Sequence, residues 1–218
     1  MDQAFWHEKW NSDNIPFNQK QPNPFMVKFF NRLNLKPGST IFAPLCGKSV
    51  DLVWLAEQGF KVIGSELNYQ ACKDFYHENA IPFKEHKEKS FHFFSSENIT
   101  LLAGDFFELS NDIIGKIDAI YDRASLIALP SDTRLLYAEK IINLTNANTH
   151  LFLITIGYKQ SQMQGPPFSV NETEVYQLYS QYFHIETVHN KRAKNIPLHL
   201  QAKGLIEAND LVFSLLKK

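Results

Sequence analysis

Residues 41–66, IFAPLCGKSVDLVWLAEQGFKVIGSE, read as strand, loop, helix, strand and a terminal acid. Ile41 to Pro44 is a short apolar run closed by proline, and Lys61 to Ser65 alternates before reaching Glu66; both patterns suit strands. Between them Leu52, Val53, Leu55 and Ala56 form a helical stripe. Ser49 is the N-cap expected for it, and Gly59 tolerates the left-handed turn that ends a helix. The unit is βαβ, the crossover that a parallel sheet requires. Ligands of such sheets bind beyond the carboxyl ends of the strands, where the Pro44–Ser49 loop and Glu66 both lie. In dinucleotide folds an acid about twenty residues after the first loop accepts the ribose hydroxyls. Leu45 to Glu66 spans 21 positions, so a ribose-bearing ligand is predicted.

Two phosphate-binding motifs fail here, which narrows the ligand. A P-loop needs glycine five residues before GK[ST], and the residue five before Gly47 is Phe42. The dinucleotide fingerprint needs three glycines for close approach to a pyrophosphate, whereas Ala43 to Gly47 offers one. A ligand with a ribose and no phosphate fits better, and S-adenosylmethionine (SAM) is such a ligand.

With 218 residues and 44% hydrophobic content, the chain is expected to form a single domain over 1–218. Its formal net charge is −1 and its basic residues are dispersed, which argues against a nucleic-acid or membrane footprint and for a small-molecule partner. The segment MDQAFWHEKW lacks the basic and apolar regions of a signal peptide, and no apolar stretch reaches membrane-spanning length. A cytoplasmic protein is expected, and its modest apolar surface points to a monomer. Cys46 and Cys72 are the only cysteines, and free thiols are expected. The eight histidines are scattered, with no HExxH or His/Cys pairing, so no metal site is expected.

Elsewhere, Phe5, Trp6 and Trp10 cluster at near-helical spacing before a break at 11–16, and Asn23-Pro24 starts a helix to about Leu33. Tyr69 to Asn79 reads as helix, and the charged stretch Phe83 to Asn98 as irregular. Further strands are expected at Ile99–Ala103, Ile117–Tyr121 and His150–Ile156, with helices near Arg134–Leu144 and Glu172–Tyr182. Ile185–His189 and Leu211–Leu216 look like a closing pair of strands, giving a mixed sheet with an antiparallel edge.

PLCGKSVD (44–51), GSE (64–66), GDFFEL (104–109), YDRASLIALP (121–130) and GPPFSV (165–170) together resemble the bacterial-type thiopurine S-methyltransferases, and the likeness covers nearly the whole chain. The resemblance implies an α/β, Rossmann-like class I SAM-dependent methyltransferase fold: seven mostly parallel strands, one of them antiparallel, with helices on both faces. Residues 1–35 would form a helical cap over the active site. Carried over by position, Trp10, Leu45, Glu66 and Arg123 match SAM contacts, with Asp105 and Phe106 beside the adenine. The chain has Phe17-Asn18-Gln19 and Leu198-His199-Leu200 where the family has other residues, and these segments line the acceptor side. The implied reaction is methyl transfer from SAM to an aromatic or heterocyclic thiol, or to a selenium or tellurium species, releasing S-adenosylhomocysteine. Arg123 and Phe17 are the expected catalytic residues, Arg123 as a charge on an anion and Phe17 as a water-excluding lid.

Each residue also has a plainer reading. Glu66 could be a solvated strand-ending acid, Asp105 a helix cap, and Asp122-Arg123 a structural ion pair. Trp10 and Phe17 could be packing residues, and Cys46 a small core residue. Two other functions stay open on the residues alone: a SAM-binding module without turnover, and a nucleotide-dependent oxidoreductase on a similar sheet.

Overall fold

A computed structural model describes residues 3–12 and 15–218. Met1 and Asp2 of the expected cap, and Asp13 and Asn14 of the expected break, lie outside the described residues. The chain divides into two compact bodies, 2–121 and 122–218.

The first body contains α1 (Gln3–Asn11), α2 (Pro24–Phe29), β1 (Thr40–Ala43), α3 (Asp51–Glu57), β2 (Lys61–Glu66), α4 (Tyr69–Glu78), β3 (Lys84–Glu88), β4 (Phe91–Ser95), β5 (Ile99–Ala103), α5 (Asn111–Ile114) and β6 (Ala119–Arg123). The last two residues of β6 open the second body. Its strand order is β3-β4-β5-β2-β1-β6, with β5, β2, β1 and β6 mutually parallel. The carboxyl ends of β1, β2 and β5 therefore share one edge, and the loops that leave them carry the candidate site residues.

Local chemistry explains these elements. Asn23 caps α2 with its side-chain oxygen, accepting from Phe25 N at 2.9 Å and Met26 N at 3.3 Å. Asp51, fully buried at the start of α3, accepts from Asn23 N at 2.7 Å and from the Tyr121 hydroxyl at 2.8 Å. One carboxylate thus ties α2, α3 and β6 together. Ile41, Phe42 and Ala43 are all buried, as a strand covered on both faces should be. In β2 a Cβ on Gly64 would lie 2.5 Å from Leu101 Cδ2 and 2.6 Å from Cys46 Sγ. Gly64→Ala should therefore overpack this contact and lower stability by about 1–3 kcal/mol, read as a shift of the denaturant midpoint at unchanged slope.

The stretch 83–98 is not irregular. It forms the hairpin β3–β4, which pairs antiparallel with β5. Its turn is Lys89-Ser90, with Lys89 at φ 52°, so the Asn-Gly or Asp-Gly signal of a two-residue hairpin is absent. All five β3 residues, KEHKE, are exposed, so no apolar alternation marks the strand; those charges also blunt a free sheet edge. Aromatic packing anchors the hairpin: Tyr76 stacks on Phe83 at 4.8 Å, and its hydroxyl donates to Phe94 O at 2.6 Å and Ile99 O at 2.8 Å. The hairpin corrects the expected strand count, since the described residues form nine strands rather than seven. It also adds antiparallel pairs beyond the single antiparallel strand expected.

The second body contains α6 (Ser131–Leu144), β7 (His150–Gly157), α7 (Glu172–Tyr179), β8 (Phe183–Arg192), α8 (Leu198–Gln201) and β9 (Asn209–Lys217). β9 lies between β7 and β8, antiparallel to both. Buried Arg134 of α6 bonds to Glu174 of α7 at 2.6 Å and to Leu129 O at 2.8 Å, and its guanidinium lies 5.9 Å from the Phe168 ring centroid. This places the GPPFSV segment in the framework of α6 and α7.

Candidate active site

The loop after β1 is conformationally strained. Leu45 has φ 45° and Gly47 φ 56°. A left-handed leucine costs about 1–2 kcal/mol, and such strain persists where the surroundings over-determine the backbone. Here Cys46 N donates to Ser65 O at 2.9 Å, and Gly47 N donates to Glu66 Oε2 at 3.0 Å. The other Glu66 oxygen accepts from Asn68 N at 2.9 Å. The Glu66 carboxylate is only 6% exposed and turned toward the loop it braces. Burial pushes its pKa up, opposed by hydrogen bonds from the Asn68, Gly47 and Leu67 N–H groups and from the Trp10 side chain.

Helix α1 lies over these groups. Gln3, His7 and Trp10 are four and three residues apart, so they share one helical face. Gln3 Nε2 donates to Asp105 Oδ2 at 2.8 Å, the Asn68 amide lies 3.4 Å from His7 Nδ1, and the Trp10 indole N–H reaches Glu66. The indole packs so closely on the loop that a Cβ on Gly47 would lie 3.0 Å from it. Phe17 meets Trp10 edge to face at 5.6 Å and Trp6 at 5.9 Å.

The first body thus gathers Trp10, Phe17, Leu45, Glu66 and Asp105 around the carboxyl ends of β1, β2 and β5. Asp105 also caps the turn at 106–108 through Phe107 N at 2.9 Å, so its plainer reading is fulfilled in the same structure. The Phe106 ring is buried and stacks on Phe42 at 6.5 Å, in the core. Arg123 is the half-buried last residue of β6, in the second body. Gln3, His7 and Asn68 were not identified from the sequence. Only Asn68 carried a signal there, as an N-cap two residues after the acid; its side chain accepts from Ala71 N at 2.9 Å.

Cys46 and Cys72 are free thiols. Burial, then the Glu66 charge, push the Cys46 thiol well up, so it stays protonated and is a poor nucleophile. Among the described residues no group of three or more His, Cys, Asp or Glu side chains converges as for a metal ion, and no helix is long and apolar enough to cross a membrane.

The thiopurine S-methyltransferase family profile matches residues 1–218. The chain belongs to the thiopurine S-methyltransferase family. A thiopurine S-methyltransferase of Psychrobacter cryohalolentis is 39% identical over 198 residues, 88% of this chain and 90% of the relative. One of Nitrosospira multiformis is 35% identical over 218 residues, 100% and 99% of the two chains. Among solved structures, magnesium protoporphyrin IX methyltransferase of Synechocystis superposes with a TM-score of 0.67 at 14% identity, covering 100% of both chains. The fold is that of class I SAM-dependent methyltransferases, and this member of the thiopurine S-methyltransferase family is a SAM-dependent methyltransferase.

Proposed function

We propose that this enzyme methylates the sulfur of an aromatic or heterocyclic thiol, with selenium and tellurium species as further acceptors. Family membership over the full chain supports the acceptor class. The buried Glu66 carboxylate, held by Gly47 and Asn68 N–H groups beside the β1 loop, is the observation that carries the cofactor half. It is a fixed acceptor suited to the two hydroxyls of a ribose. Among its donors Trp10 is a side chain, so a ribose hydroxyl can replace that hydrogen bond while the backbone donors keep the carboxylate in place.

In this reading Trp10 and Leu45 line the cofactor, and Asp105 takes the adenine edge with Phe106 supporting it from the core. Arg123 holds an anion, either the thiolate or the cofactor carboxylate. Phe17 and residues 1–35 cover the acceptor and exclude water. Bound SAM supplies an electrophilic methyl on a sulfonium. The protein holds the incoming sulfur in line with it, and such positioning is worth on the order of 7–11 kcal/mol. A thiol of low pKa needs little help from a general base. The protein acts as a monomer in the cytoplasm. The test is transfer of radiolabelled methyl from SAM to 6-mercaptopurine and thiophenol. Product is expected with both, and no transfer across a thiol panel, with S-adenosylhomocysteine still bound, would overturn the acceptor class.

A further inference from the structure

We propose that Asp122 is a positioning residue: its buried carboxylate staples the turn that ends β6 and so fixes the direction in which Arg123 leaves the strand. This rests on the reading of Arg123 as an anion-holding residue. The second body alone carries the geometry.

Asp122 is 0% exposed. Its Oδ2 accepts from the Tyr137 hydroxyl at 2.8 Å and its Oδ1 from Leu126 N at 3.2 Å. The Ser125 hydroxyl and backbone N–H add to these. The chain between is tightly bent, with Ala124 at φ 65°, a left-handed conformation that a non-glycine residue adopts at a cost. The carboxylate therefore bridges residues 122 and 126 across a strained turn and ties it to α6 through Tyr137. Successive strand residues face opposite sides, so a carboxylate committed to the α6 side leaves Arg123 directed to the other.

An amide would not serve. Tyr137 O–H, Leu126 N–H and Ser125 N–H donate to this side chain, and the Ser125 O–H is shared between it and Arg123 O at 3.5 Å, which calls for two acceptor oxygens. Asparagine offers one oxygen and turns N–H groups against the rest. Tyr179 of α7 is also fully buried; its hydroxyl has no hydrogen-bond partner among the described residues, and it lies within the field of Asp122. A structural ion pair with Arg123 does not account for this many neutral donors on one carboxylate.

The arrangement has a pH signature. Burial holds the Asp122 carboxyl up to about 6, while the hydrogen bonds of Tyr137, Leu126 and Ser125 pull it down. Among the groups facing it are Tyr137 from α6, Tyr179 from α7, and Ser125 and Leu126 of its own turn. Above about 6 the ionised form accepts from all its donors. Below it, the added proton opposes one of them and the turn loosens. Turnover should rise with pH through this range. Tyr137→Phe removes a hydrogen bond that favours the ionised form, so it should move that limb to higher pH while leaving the plateau rate within about threefold.

The experiment measures kcat and KM for a strongly acidic aromatic thiol, one fully ionised throughout pH 5 to 8 so that its own titration adds no limb, with S-adenosylhomocysteine affinity and melting temperature, for wild type, Asp122→Asn, Tyr137→Phe and Arg123→Met. Expected are a loss of at least tenfold in kcat/KM for Asp122→Asn, the same direction of loss in Arg123→Met, and an upward-shifted acid limb for Tyr137→Phe. If Asp122→Asn does not fold, the Tyr137→Phe limb decides. An unshifted limb, or an Asp122→Asn enzyme with wild-type kcat/KM, overturns the positioning role. Wild-type kinetics in Arg123→Met would instead overturn the reading of Arg123 on which it rests.

Discussion

Replacing Glu66 by alanine should weaken binding of S-adenosylhomocysteine more than tenfold in titration calorimetry. Two ribose hydroxyls donating to one carboxylate are charge-assisted hydrogen bonds, each worth about 1.5–3 kcal/mol, and the substitution removes both. The structure adds a second expectation. Glu66 also satisfies Gly47 N and Asn68 N, so alanine leaves two buried donors unmet and should lower stability by about 1–3 kcal/mol for each. Glu66→Gln separates the two effects, because the amide keeps one acceptor oxygen and the shape of the side chain. It should lose affinity in the same direction with a smaller drop in melting temperature. Unchanged affinity in both variants would show that the ribose lies elsewhere. Because burial raises the Glu66 pKa, the wild-type affinity should also begin to fall, on acidification, at a higher pH than an exposed glutamate would dictate.

The sequence was most legible where one period dominated. Ile99–Ala103 is predicted and found as the same five residues, and Lys61–Ser65 differs from β2 only by Glu66. These strands are bounded by glycine, asparagine or polar turns and sit in a parallel sheet whose burial leaves an apolar run. The hairpin at 84–95 failed for the opposite reason: an edge strand with both faces exposed has no apolar register to read, and Lys89-Ser90 is not a turn signature. β8 and β9 were predicted short because their ends, Asn190 to Arg192 and Asn209 to Asp210, are polar where they pair with each other. Longer pairing there is sustained by backbone hydrogen bonds and by Asn209–Asn190 contact at 2.9 Å rather than by burial.

The candidate site divides along a similar line. Glu66 was legible because its distance from the loop is fixed by the length of one βαβ unit. Gln3 and His7 depend on how α1 meets the strand ends, a tertiary fact that no spacing encodes, whereas Asn68 could be read as the N-cap that follows the acid. Phe106 could be read as a nucleobase neighbour, but one-dimensional pattern gives no way to foresee its ring stacked on Phe42. Asp122 was left open between a structural ion pair and a functional role, because Tyr137 becomes its neighbour only through the packing of α6.

Arg123→Met should lower kcat/KM for an aromatic thiol about thirtyfold to a hundredfold, the equivalent of one charge-assisted hydrogen bond of about 2–3 kcal/mol. Methionine keeps much of the apolar stem and removes the charge, so packing at the end of β6 is largely retained. The decisive reading is how the loss varies with the acceptor. A cation beside the sulfur favours the thiolate over the thiol, so the penalty should grow as the thiol becomes harder to ionise and should shrink for strongly acidic thiols. If Arg123 instead holds the carboxylate of the cofactor, the loss would be uniform across the series and would appear equally in S-adenosylhomocysteine affinity. A thiol series spanning several pKa units, measured with both enzymes at one pH above the thiol range and one below it, separates the two anions. Arg123→Lys sharpens the comparison: a point charge can still favour a thiolate but gives up the forked geometry that a carboxylate prefers, so lysine should rescue the first role better than the second.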